Sequence, residues 1–572
     1  MSRIVETISP QRATRVDEFW ENAGTQTLVL AAVCLAVFFF VLGYPALFDI
    51  DEGMHAAMAK TMVVSGDWVT PVFNGEPFFD KPALYNWLVA ASFVVFGFTD
   101  FAARFPSALL GTGCVFLTFA IGRRFLGNKA GFFAAIVLAT SLLFILLSRM
   151  VLYDIPFTFF TTLSLYFLCD ALFGRQRKSA FLAFYVAMGL AVLTKGLLGL
   201  AIPGLAIAAF LLWTRDFARI RDFRLVSGAL IIAAIVVPWY ALMELANPGY
   251  IEYFVVNQHL AYLLGNAGDS AGRHPQPVYY HVVGLLLGLF PWSFLLPGAV
   301  YEAWLLRKQK AQAPTVFLLF WMVCTFVMFS SASSKLITYI LPLYPAAALL
   351  LGKFFADMVD APQKKRGHFT AALALPAAVL LMATTWVLAN GAPEQLREET
   401  GFEWFDIRVT IIAPMILAVL AFWFAWCKRR ALAFAITSAV TPVLLLFVYT
   451  LLIPDAFAYR SSAQISATYE SLLSADEKLV FSDKMFDAAI YNTGRDARIL
   501  RGRDELHGYL EQEPRVYLLA RTDSDSLVDC EPGLAYVVVT IGNKQILSNK
   551  AANPGGDDLP ALPEVQCRVS AD

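Results

Sequence analysis

Apolar runs of about 20 residues recur along most of this chain, and the first of them covers 27–47. A run of that length can cross the hydrocarbon core of a bilayer as one helix. The 572 residues are 58% hydrophobic and only 16% charged, with a mean hydropathy of +0.60. A soluble domain has about one quarter charged residues. The sequence therefore predicts a polytopic α-helical membrane protein.

The segment before the first run predicts a cytoplasmic N-terminal tail, residues 1–26, rather than a cleavable signal. It mixes arginines with acidic residues and has no apolar core of its own. The formal net charge of −1 predicts no general attraction to nucleic acid. The positions of the charges therefore carry more information than their sum.

Clusters of Lys and Arg alternate with pairs of apolar runs and define the predicted topology. Because these residues concentrate in short cytoplasmic loops, the chain is expected to return to the cytoplasm at each cluster. About thirteen spans follow, near 27–47, 104–123, 130–152, 156–174, 180–195, 197–213, 225–244, 282–304, 314–331, 336–356, 369–389, 408–427 and 431–453. Together these spans predict a membrane domain at 27–453. With the amino terminus inside, the first loop, 48–103, is predicted to lie outside, and the odd number of spans also places the tail, 454–572, outside. The apolar segment 81–97 of that loop is predicted to lie along the membrane interface.

The first external loop carries paired charges that a plain connection between two helices would not need. Asp51 is followed by Glu52, and Asp80 is followed by Lys81. Further ionisable groups stand at the other predicted external helix ends and loops: Arg149, Asp154, Lys195, Glu252, His259, Arg273, His274, His281 and Lys335. Any one of them alone could be a solvated or snorkelling residue. Charged groups next to a membrane are costly, however, so their common side predicts one site of chemistry.

The tail returns to a soluble composition. Four segments have the length and pattern of strands, at 479–483, 497–501, 515–521 and 534–542, and they alternate with helical patterns at 462–474, 484–493 and 503–511. This order predicts a small α/β domain on the periplasmic side. In that oxidising compartment Cys530 and Cys567 are candidates for a disulfide, and two unpaired thiols are the alternative.

Several motifs together resemble a known family. The stretch DEGMHAAMAKTMVVSGDWVTPVFNGEPFFDKPALYNWL resembles the first external loop of membrane glycosyltransferases of GT-C fold. These include the protein O-mannosyltransferases and, more similar still, the lipid A aminoarabinose transferases. The resemblance continues, in order, through FAARFPSALLG, SRMVLYDIPFTFF, AVLTKGLLGLAIPG and SSKLITYILPLYP. It covers about the first 350 residues.

The resemblance implies an enzyme of the bacterial inner membrane. It would move a sugar from a polyprenyl-phosphate donor to lipid A or another envelope glycolipid, on the periplasmic face. Membrane lipids, the donor and the acceptor are the implied partners, and nucleic acid is not one of them.

The same resemblance implies roles for individual residues. The essential first-loop acid corresponds to Asp51, next to Glu52, and a second acid corresponds to Asp154. Lys81 would hold the donor phosphate. Groups expected near that phosphate are Lys195, Lys335 and Tyr339. A divalent metal ion is the one cofactor implied, with Asp80 and His259 as its nearest ligands, and solvated loop histidines are the alternative.

The sequence departs from the family pattern at two places. The family motif Asp-Glu-x-Arg-Tyr has Met54 and His55 in its last two positions here, so a phosphate-binding arginine is missing. The loop histidine is not followed within a few residues by the usual arginine, and Arg273 is the candidate substitute. These departures concern the choice of substrate more than the fold.

Sugar transfer from a glycosyl phosphate needs charged groups of both signs. A phosphate anion departs while positive charge develops at the anomeric carbon, so cations must face the leaving group and a carboxylate must face the acceptor. Lys81, Lys195 and Lys335 are the candidate cations. Asp51 would act as general base toward a hydroxyl acceptor, or would orient a phosphate acceptor or a group next to it. A single displacement predicts inversion.

Two other functions are weighed against this one. A protein O-glycosyltransferase, mannosyltransferase-like, is the rival in the same class. A lipid or solute transporter, or flippase, is the rival from another class. Transporters place ionisable residues near the bilayer midplane and are built from repeated halves, and neither feature is recognisable in this sequence.

Overall fold

The protein is described here from a computed structural model, which covers residues 18–49, 51–174, 177–254, 256, 276–332, 334–360, 378, 382, 404–427, 429–452, 461–512, 514–522 and 535–550. These residues form many helices, a small hairpin in the first loop and a five-stranded sheet near the carboxyl terminus.

Nine α-helices of the described part of the chain lie between residues 23 and 214. They are α1 (Ala23–Cys34), α2 (Glu52–Ser65), α3 (Leu84–Phe96), α4 (Asp100–Phe125), α5 (Asn128–Ala139), α6 (Leu142–Ser148), α7 (Asp154–Phe173), α8 (Arg177–Lys195) and α9 (Leu198–Thr214). The hairpin β1 (Val72–Phe73) and β2 (Glu76–Pro77) lies between α2 and α3.

The remaining α-helices of the described residues lie between 225 and 510. They are α10 (Leu225–Ala246), α11 (Tyr250–Glu252), α12 (Tyr280–Gly288), α13 (Leu296–Leu305), α14 (Ala313–Ser331), α15 (Tyr344–Asp360), α16 (Trp404–Trp426), α17 (Arg430–Phe447), α18 (Ala463–Leu472), α19 (Asp487–Thr493) and α20 (Arg503–Leu510). A 3₁₀ helix, Ile337–Leu343, precedes α15.

Local sequence explains several helix ends around the first loop. The Thr99 hydroxyl accepts a hydrogen bond from the Ala102 N–H at 3.1 Å and caps the start of α4. Gly66 ends α2 with φ +75°, a left-handed conformation that glycine adopts without the steric cost of a Cβ.

Six helical stretches are long and apolar enough to cross a membrane among the described residues. They are Asp100–Phe125, Asp154–Phe173, Leu225–Ala246, Lys310–Ser331, Ile337–Val359 and Arg430–Leu451. Two bent pairs raise the number to eight if each pair is one span. A membrane protein with several apolar helices is therefore confirmed, and the count of thirteen stays a prediction. The predicted span at 369–389 lies outside the described residues, apart from positions 378 and 382.

One predicted span, 130–152, is divided by a sharp bend. α5 and α6 meet at 66°, at a break that contains Thr140 and Ser141. The Trp292 indole N–H donates to the Thr140 hydroxyl at 3.0 Å, and the Leu142 N–H donates to the Phe290 carbonyl at 3.2 Å. The Phe290 carbonyl thus supplies the Leu142 N–H with an acceptor from a distant segment at the break.

Small residues bring α4, α5 and α15 close together. A Cβ added to Gly131 would lie 2.4 Å from the Arg123 backbone nitrogen, and one added to Gly352 would lie 2.4 Å from the Ala130 carbonyl oxygen. Close backbone approach of this kind is a main source of helix association in membranes. The three helices form part of the largest apolar core.

The described residues of the tail contain five strands and three helices, and a separate C-terminal domain stays a prediction. β3 (Leu479–Ser482), β4 (Ala497–Leu500), β5 (Tyr517–Arg521), β6 (Tyr536–Ile541) and β7 (Lys544–Ser548) form one sheet in the order β4-β3-β5-β7-β6. β3 is parallel to β4 and β5, whereas β7 is antiparallel to β5 and β6. Cys530 and Cys567 lie outside the described residues, so their disulfide stays a prediction.

Four of the five strands coincide with the four predicted segments, and β7 was missed. It follows β6 across the turn at Gly542-Asn543, and its register pairs Ile541 with Lys544. A Gly-Asn pair between two short apolar runs is a hairpin signal. That signal was available in the sequence.

Candidate active site

The adjacent acids Asp51 and Glu52 have opposite environments. Asp51 is exposed and stands just before α2 with φ +67°, an uncommon backbone conformation for a residue other than glycine. Glu52 is the first residue of α2 and is fully buried. Only Asp51 is thus placed to meet a substrate from solution.

Arg104 holds the buried Glu52 carboxylate. Its Nε lies 2.9 Å from Oε1 and its second terminal nitrogen lies 2.8 Å from Oε2. The backbone N–H groups of Phe48 and Val151 donate to the same carboxylate, at 3.2 Å and 3.0 Å. Each Glu52 oxygen therefore accepts two hydrogen bonds, which favours a positioning role for Glu52 over the catalytic role predicted for it.

The Glu52–Arg104 pair also joins the two segments that carry the predicted acids. Glu52 follows Asp51 directly, and Val151, which donates to Glu52, lies three residues before Asp154. Arg104 belongs to the motif FAARFPSALLG, which by itself indicates no role for it. One feature of the sequence does indicate a buried partner for Arg104: it lies at the start of a long apolar helix, where an unpaired charge would be costly.

Asp154 at the start of α7 pairs with Lys195 at the end of α8. The Lys195 Nζ lies 2.6 Å from Asp154 Oδ1, and the side chains are 8% and 10% exposed. The Lys195 ammonium also lies 5.0 Å from the centroid of the Tyr339 ring. Three of the predicted site residues are thus in contact in the structure.

Lys81 belongs to the same cluster of charges. Burial is the largest cause that lowers the pKa of its ammonium below the ordinary lysine value, and the charge of Lys195 acts in the same direction. The carboxylates of Asp80, Asp154 and Asp51 partly counteract this by raising the Lys81 pKa. Five of the predicted residues therefore lie close enough to influence each other electrostatically.

Asp80 faces a tyrosine of the π-helical turn that directly follows α11. The Tyr253 hydroxyl donates to Asp80 Oδ1 at 3.1 Å, and the Lys81 ammonium donates to the Asp80 carbonyl at 3.2 Å. Tyr253 is a site residue that sequence reasoning missed, since tyrosines are common near membrane interfaces.

His55 lies buried beneath the cluster, in the position where the family motif has a tyrosine. Burial lowers its pKa to about 3, and the positive charges of Lys81 and Lys195 contribute. Its ring lies edge-on to Tyr153, with 4.8 Å between the centroids. His55 is therefore neutral at pH 7 and does not replace the missing arginine as a phosphate-binding cation.

Lys335 has its described contact outside this cluster. Its Nζ donates to the Gln276 carbonyl at 2.9 Å, and the residue is 4% exposed. Nearby, the His281 ring nitrogen Nε2 lies 3.1 Å from the Leu336 carbonyl oxygen. The predicted phosphate contact of Lys335 stays a prediction.

The loop residues His259, Arg273 and His274 lie outside the described residues. Across the part of the chain that is described, no group of three or more His, Cys, Asp or Glu side chains could hold a metal ion. Of the predicted pair of ligands, Asp80 alone is described, with one oxygen bonded to Tyr253. A metal-binding role for Asp80 and His259 stays a prediction.

Arg149, another predicted external charge, has a structural explanation. Its guanidinium donates to the carbonyls of Val37 and Phe38, at 3.1 Å and 3.3 Å, near the end of the first helical segment. It stacks over the Tyr449 ring at 4.5 Å and lines an apolar cavity of about 560 Å³ between residues 36–44 and 442–450. Cations commonly bind the free carbonyls at a helix end. None of Asp51, Lys81, Asp154 or Lys195 lines this cavity.

Comparisons with known proteins agree with the motifs. Residues 80–241 match the family model described as dolichyl-phosphate-mannose-protein mannosyltransferase. The chain is 34% identical to undecaprenyl phosphate-alpha-4-amino-4-deoxy-L-arabinose arabinosyl transferase 2 of Pseudomonas fluorescens over 319 residues, or 55% of this chain and 53% of the relative. It is 28% identical to the corresponding transferase of Pseudomonas aeruginosa over 485 residues, or 82% and 85% of the two chains.

Solved structures show the fold. ArnT from Cupriavidus metallidurans bound to undecaprenyl phosphate superposes with a TM-score of 0.78 at 22% identity, covering 94% of this chain and 100% of the other. The oligosaccharyltransferase of Archaeoglobus fulgidus superposes at 0.51 with 11% identity, covering 89% and 70%. The predicted GT-C membrane fold and the resemblance to aminoarabinose transferases and protein O-mannosyltransferases are thus confirmed. The match to the Pseudomonas fluorescens relative spans about half of that protein's own length.

Proposed function

We propose that this protein is an inverting glycosyltransferase that moves a sugar from a polyprenyl-phosphate donor to lipid A or another envelope glycolipid. The observation that carries the proposal is the cluster of Asp51, Asp80, Lys81, Asp154 and Lys195, in which both kinds of charge required by the chemistry lie together. The activity given by the names of the arabinosyl transferase relatives supports the same reaction. It also suggests 4-amino-4-deoxy-L-arabinose as the sugar.

The leaving phosphate is assigned to the lysines. Lys81 is half-buried and close to a second cation, so the two attractions of an incoming phosphate offset the repulsion between Lys81 and Lys195. Lys195 is held by Asp154 and therefore presents its charge from a fixed position. This arrangement stabilises the negative charge that develops on the phosphate as the glycosidic bond breaks.

The acceptor is assigned to Asp51, the exposed acid of the cluster. The acceptor oxygen forms a bond with the anomeric carbon, the bond from that carbon to the phosphate breaks, and polyprenyl phosphate leaves with the electron pair. If the acceptor is a hydroxyl, its proton passes to Asp51. If the acceptor is a phosphate, no proton has to move, and Asp51 orients a neighbouring group of the acceptor. A single displacement inverts the anomeric centre.

The arrangement around the membrane follows from the same proposal. Residues 27–453 would form the catalytic membrane domain in the bacterial inner membrane. The first loop and the α/β tail from 454 onward would lie on the periplasmic side, and the two tail cysteines would form a disulfide there. A divalent ion held by Asp80 and His259 would add a positive charge beside the donor phosphate, and Lys335, Tyr339 and Arg273 would complete the donor site.

A protein acceptor is the second candidate. The family model that matches residues 80–241 is that of protein mannosyltransferases, and this observation favours it specifically. A transporter would need no transfer product at all. One assay therefore separates the two alternatives, because a protein acceptor gives a glycosylated peptide and a transporter gives no transfer product.

The test is sugar transfer by the purified protein in vesicles, with an undecaprenyl-phosphate-linked aminoarabinose donor and either lipid A or a Ser/Thr-rich peptide as acceptor. The proposal predicts a glycosylated lipid A. Asp51→Asn should lower the rate by about 10²–10⁴-fold, the usual contribution of a general base. Glu76→Gln, an exposed acid of the same loop, should leave the rate unchanged.

Transfer to the peptide and not to lipid A would replace the proposal with the protein acceptor. Movement of the intact donor across the bilayer without any transfer would indicate the transporter. Full activity of Asp51→Asn would remove Asp51 from the reaction.

A further inference from the structure

Asp49, two residues before Asp51, is held by the carboxyl-terminal segment of the chain. Its side chain is 11% exposed. The Ser462 hydroxyl donates to Asp49 Oδ1 at 2.6 Å, and the Ala488 backbone N–H donates to the same oxygen at 3.0 Å. The Lys544 ammonium lies 3.8 Å from Oδ2 and is itself 4% exposed. One carboxylate of the first loop thus meets the residue before α18, the helix α19 and the strand β7.

Further contacts hold both sides of the loop against the same segment. Before Asp49, the Ser461 hydroxyl donates to the Leu47 carbonyl at 2.5 Å. After Asp51, a Cβ added to Gly53 would lie 2.6 Å from the Ala488 nitrogen, so the two backbones are in direct contact there. The exposed Asp51 therefore lies between two anchored stretches.

More distant contacts extend the interface along the first loop. The Lys60 ammonium donates to the Tyr491 carbonyl at 2.6 Å, and the Asn74 amide donates to the Ala497 carbonyl at 3.0 Å. α2, the β1–β2 turn and the stretch before α2 are thus all fixed to the tail. The contact at Asp49 differs from the others because it includes a pair of buried charges next to the predicted base.

The backbone at Asp51 gives this contact a consequence. A residue other than glycine with positive φ keeps that conformation only where the surrounding structure holds it. Glu52 is fixed from the membrane side by Arg104, and Asp49 is fixed from the tail side. Displacement of a catalytic group by about 1 Å can lower a rate by about 10²-fold.

We infer that Asp49 is a positioning residue for sugar transfer, and that Lys544 on the carboxyl-terminal sheet holds it so that Asp51 faces the acceptor. The inference rests on the proposed function of Asp51. It makes the tail part of the catalytic unit, because the sheet determines where the base stands. Burial raises the pKa of Asp49 and the Lys544 charge counteracts that rise, so the loss of Lys544 leaves a desolvated carboxylate without its counter-ion.

The experiment compares Asp49→Asn, Lys544→Gln and the double variant with a matched control. Arg498→Gln is the control. It breaks the ion pair between Arg498 of the same sheet and Glu505, whose side chains are 58% and 39% exposed, respectively. For each variant, kcat and the donor KM are measured in the vesicle assay, the folded amount is determined, and hydrogen exchange is followed in a peptide that covers 44–53.

Each single variant should lower kcat about 10-fold or more while the donor KM stays unchanged, because the donor cations remain in place. The double variant should be no slower than the slower single variant, as expected for two residues that act through one contact. Hydrogen exchange of the peptide that covers 44–53 should be faster in all three variants than in the wild-type protein, and it should be unchanged in Arg498→Gln.

Rates equal to that of Arg498→Gln would overturn the inference, as would a fall in rate that matches a fall in folded protein. If both variants fail to fold, Ser462→Ala removes one hydrogen bond while it leaves the charge pair, and it should give the same split between kcat and KM. A wild-type protein without transferase activity would refute the proposed function instead. In that case the hydrogen exchange of the Asp49 and Lys544 variants still tests the positioning of the loop. Exchange at 44–53 equal to that of the wild-type protein would refute it, and faster exchange would support it.

Discussion

Two lysines of the candidate site have different environments and can therefore be separated by experiment. Lys195 is bound to Asp154 at 2.6 Å, whereas Lys81 is half-buried and has a pKa lowered mainly by burial. The proposed donor contact needs Lys81 in its charged form. As pH rises through its lowered pKa, Lys81 loses its proton and its attraction for phosphate.

Donor use should accordingly decline at an alkaline pH below the ordinary lysine pKa of about 10.4. Lys81→Arg keeps its charge and should move that decline to higher pH, and Lys81→Ala should weaken donor use by about 10–100-fold, the loss of one charged hydrogen bond. The pH profile of kcat/KM for the donor measures both effects. Lys308→Arg, at an exposed position in a predicted cytoplasmic loop, is the control. Identical profiles for wild type and Lys81→Arg would contradict the assignment.

At this scale the sequence predicted that Asp51, Lys81, Asp154 and Lys195 lie near one another, but it could not separate the roles of Asp51 and Glu52. Asp51 and Glu52 are neighbours with similar carboxylates, and one is exposed while the other is buried. The difference depends on Arg104, 52 positions away along the chain. His55 was noted only as a departure from a motif, and its neutral state follows from burial that the sequence does not reveal.

At the scale of elements, the Glu52–Arg104 pair joins α2, α4 and the segment before α7. Besides Glu52, Arg104 donates to the carbonyls of Leu42 and Ala46, each at 3.3 Å. The pair is nearly inaccessible, with 3% and 0% of the two side chains exposed. Removal of one partner would leave a buried charge unpaired.

Arg104→Met should therefore cost about 3–5 kcal/mol of stability, as is usual when a buried ion pair loses one partner. Arg219→Gln removes an ion pair with Asp216 in which both side chains are more than a third exposed, and should cost less than about 1 kcal/mol. Chemical unfolding of the two variants in mixed micelles measures the difference. Equal losses would show that the buried pair does not hold these elements together.

Sequence periodicity located the elements well where local signals dominate. The four predicted strands and three predicted helices of the tail appear within a few residues of their expected positions. The bend between α5 and α6 was missed, because its sequence Thr140-Ser141 contains neither glycine nor proline. That bend depends on contacts with Trp292 and Phe290, which lie about 150 positions further along the chain.

At the scale of the whole molecule, the first loop carries part of the charged cluster and also contacts the α/β tail. Contacts at Asp49, Lys60 and Asn74 bind the tail to that loop. The sequence predicted the two parts on one side of the membrane from the number of spans, but it contained no signal that they touch. Their contact joins residues more than 400 positions apart, and pattern reasoning is local.

The predicted sidedness can be tested with substituted cysteines in a cysteine-free background. Val64→Cys, exposed at the end of α2, should react with a membrane-impermeant thiol reagent added to intact spheroplasts. Lys308→Cys, exposed in a predicted cytoplasmic loop, should react only after the membrane is opened. The reverse pattern would place the candidate site in the cytoplasm and contradict the topology.

The central claim is that the charged cluster around Asp51 attaches a sugar to an envelope glycolipid. Mass spectrometry of envelope lipids and glycoproteins, from cells that express the wild-type protein and from cells that express Asp51→Asn, tests it most directly. The account predicts a glycolipid, lipid A first, whose sugar-bearing form is present with the wild-type protein and absent with the variant. A sugar missing from glycoproteins while all lipid masses are unchanged, or identical spectra from the two strains, would contradict it.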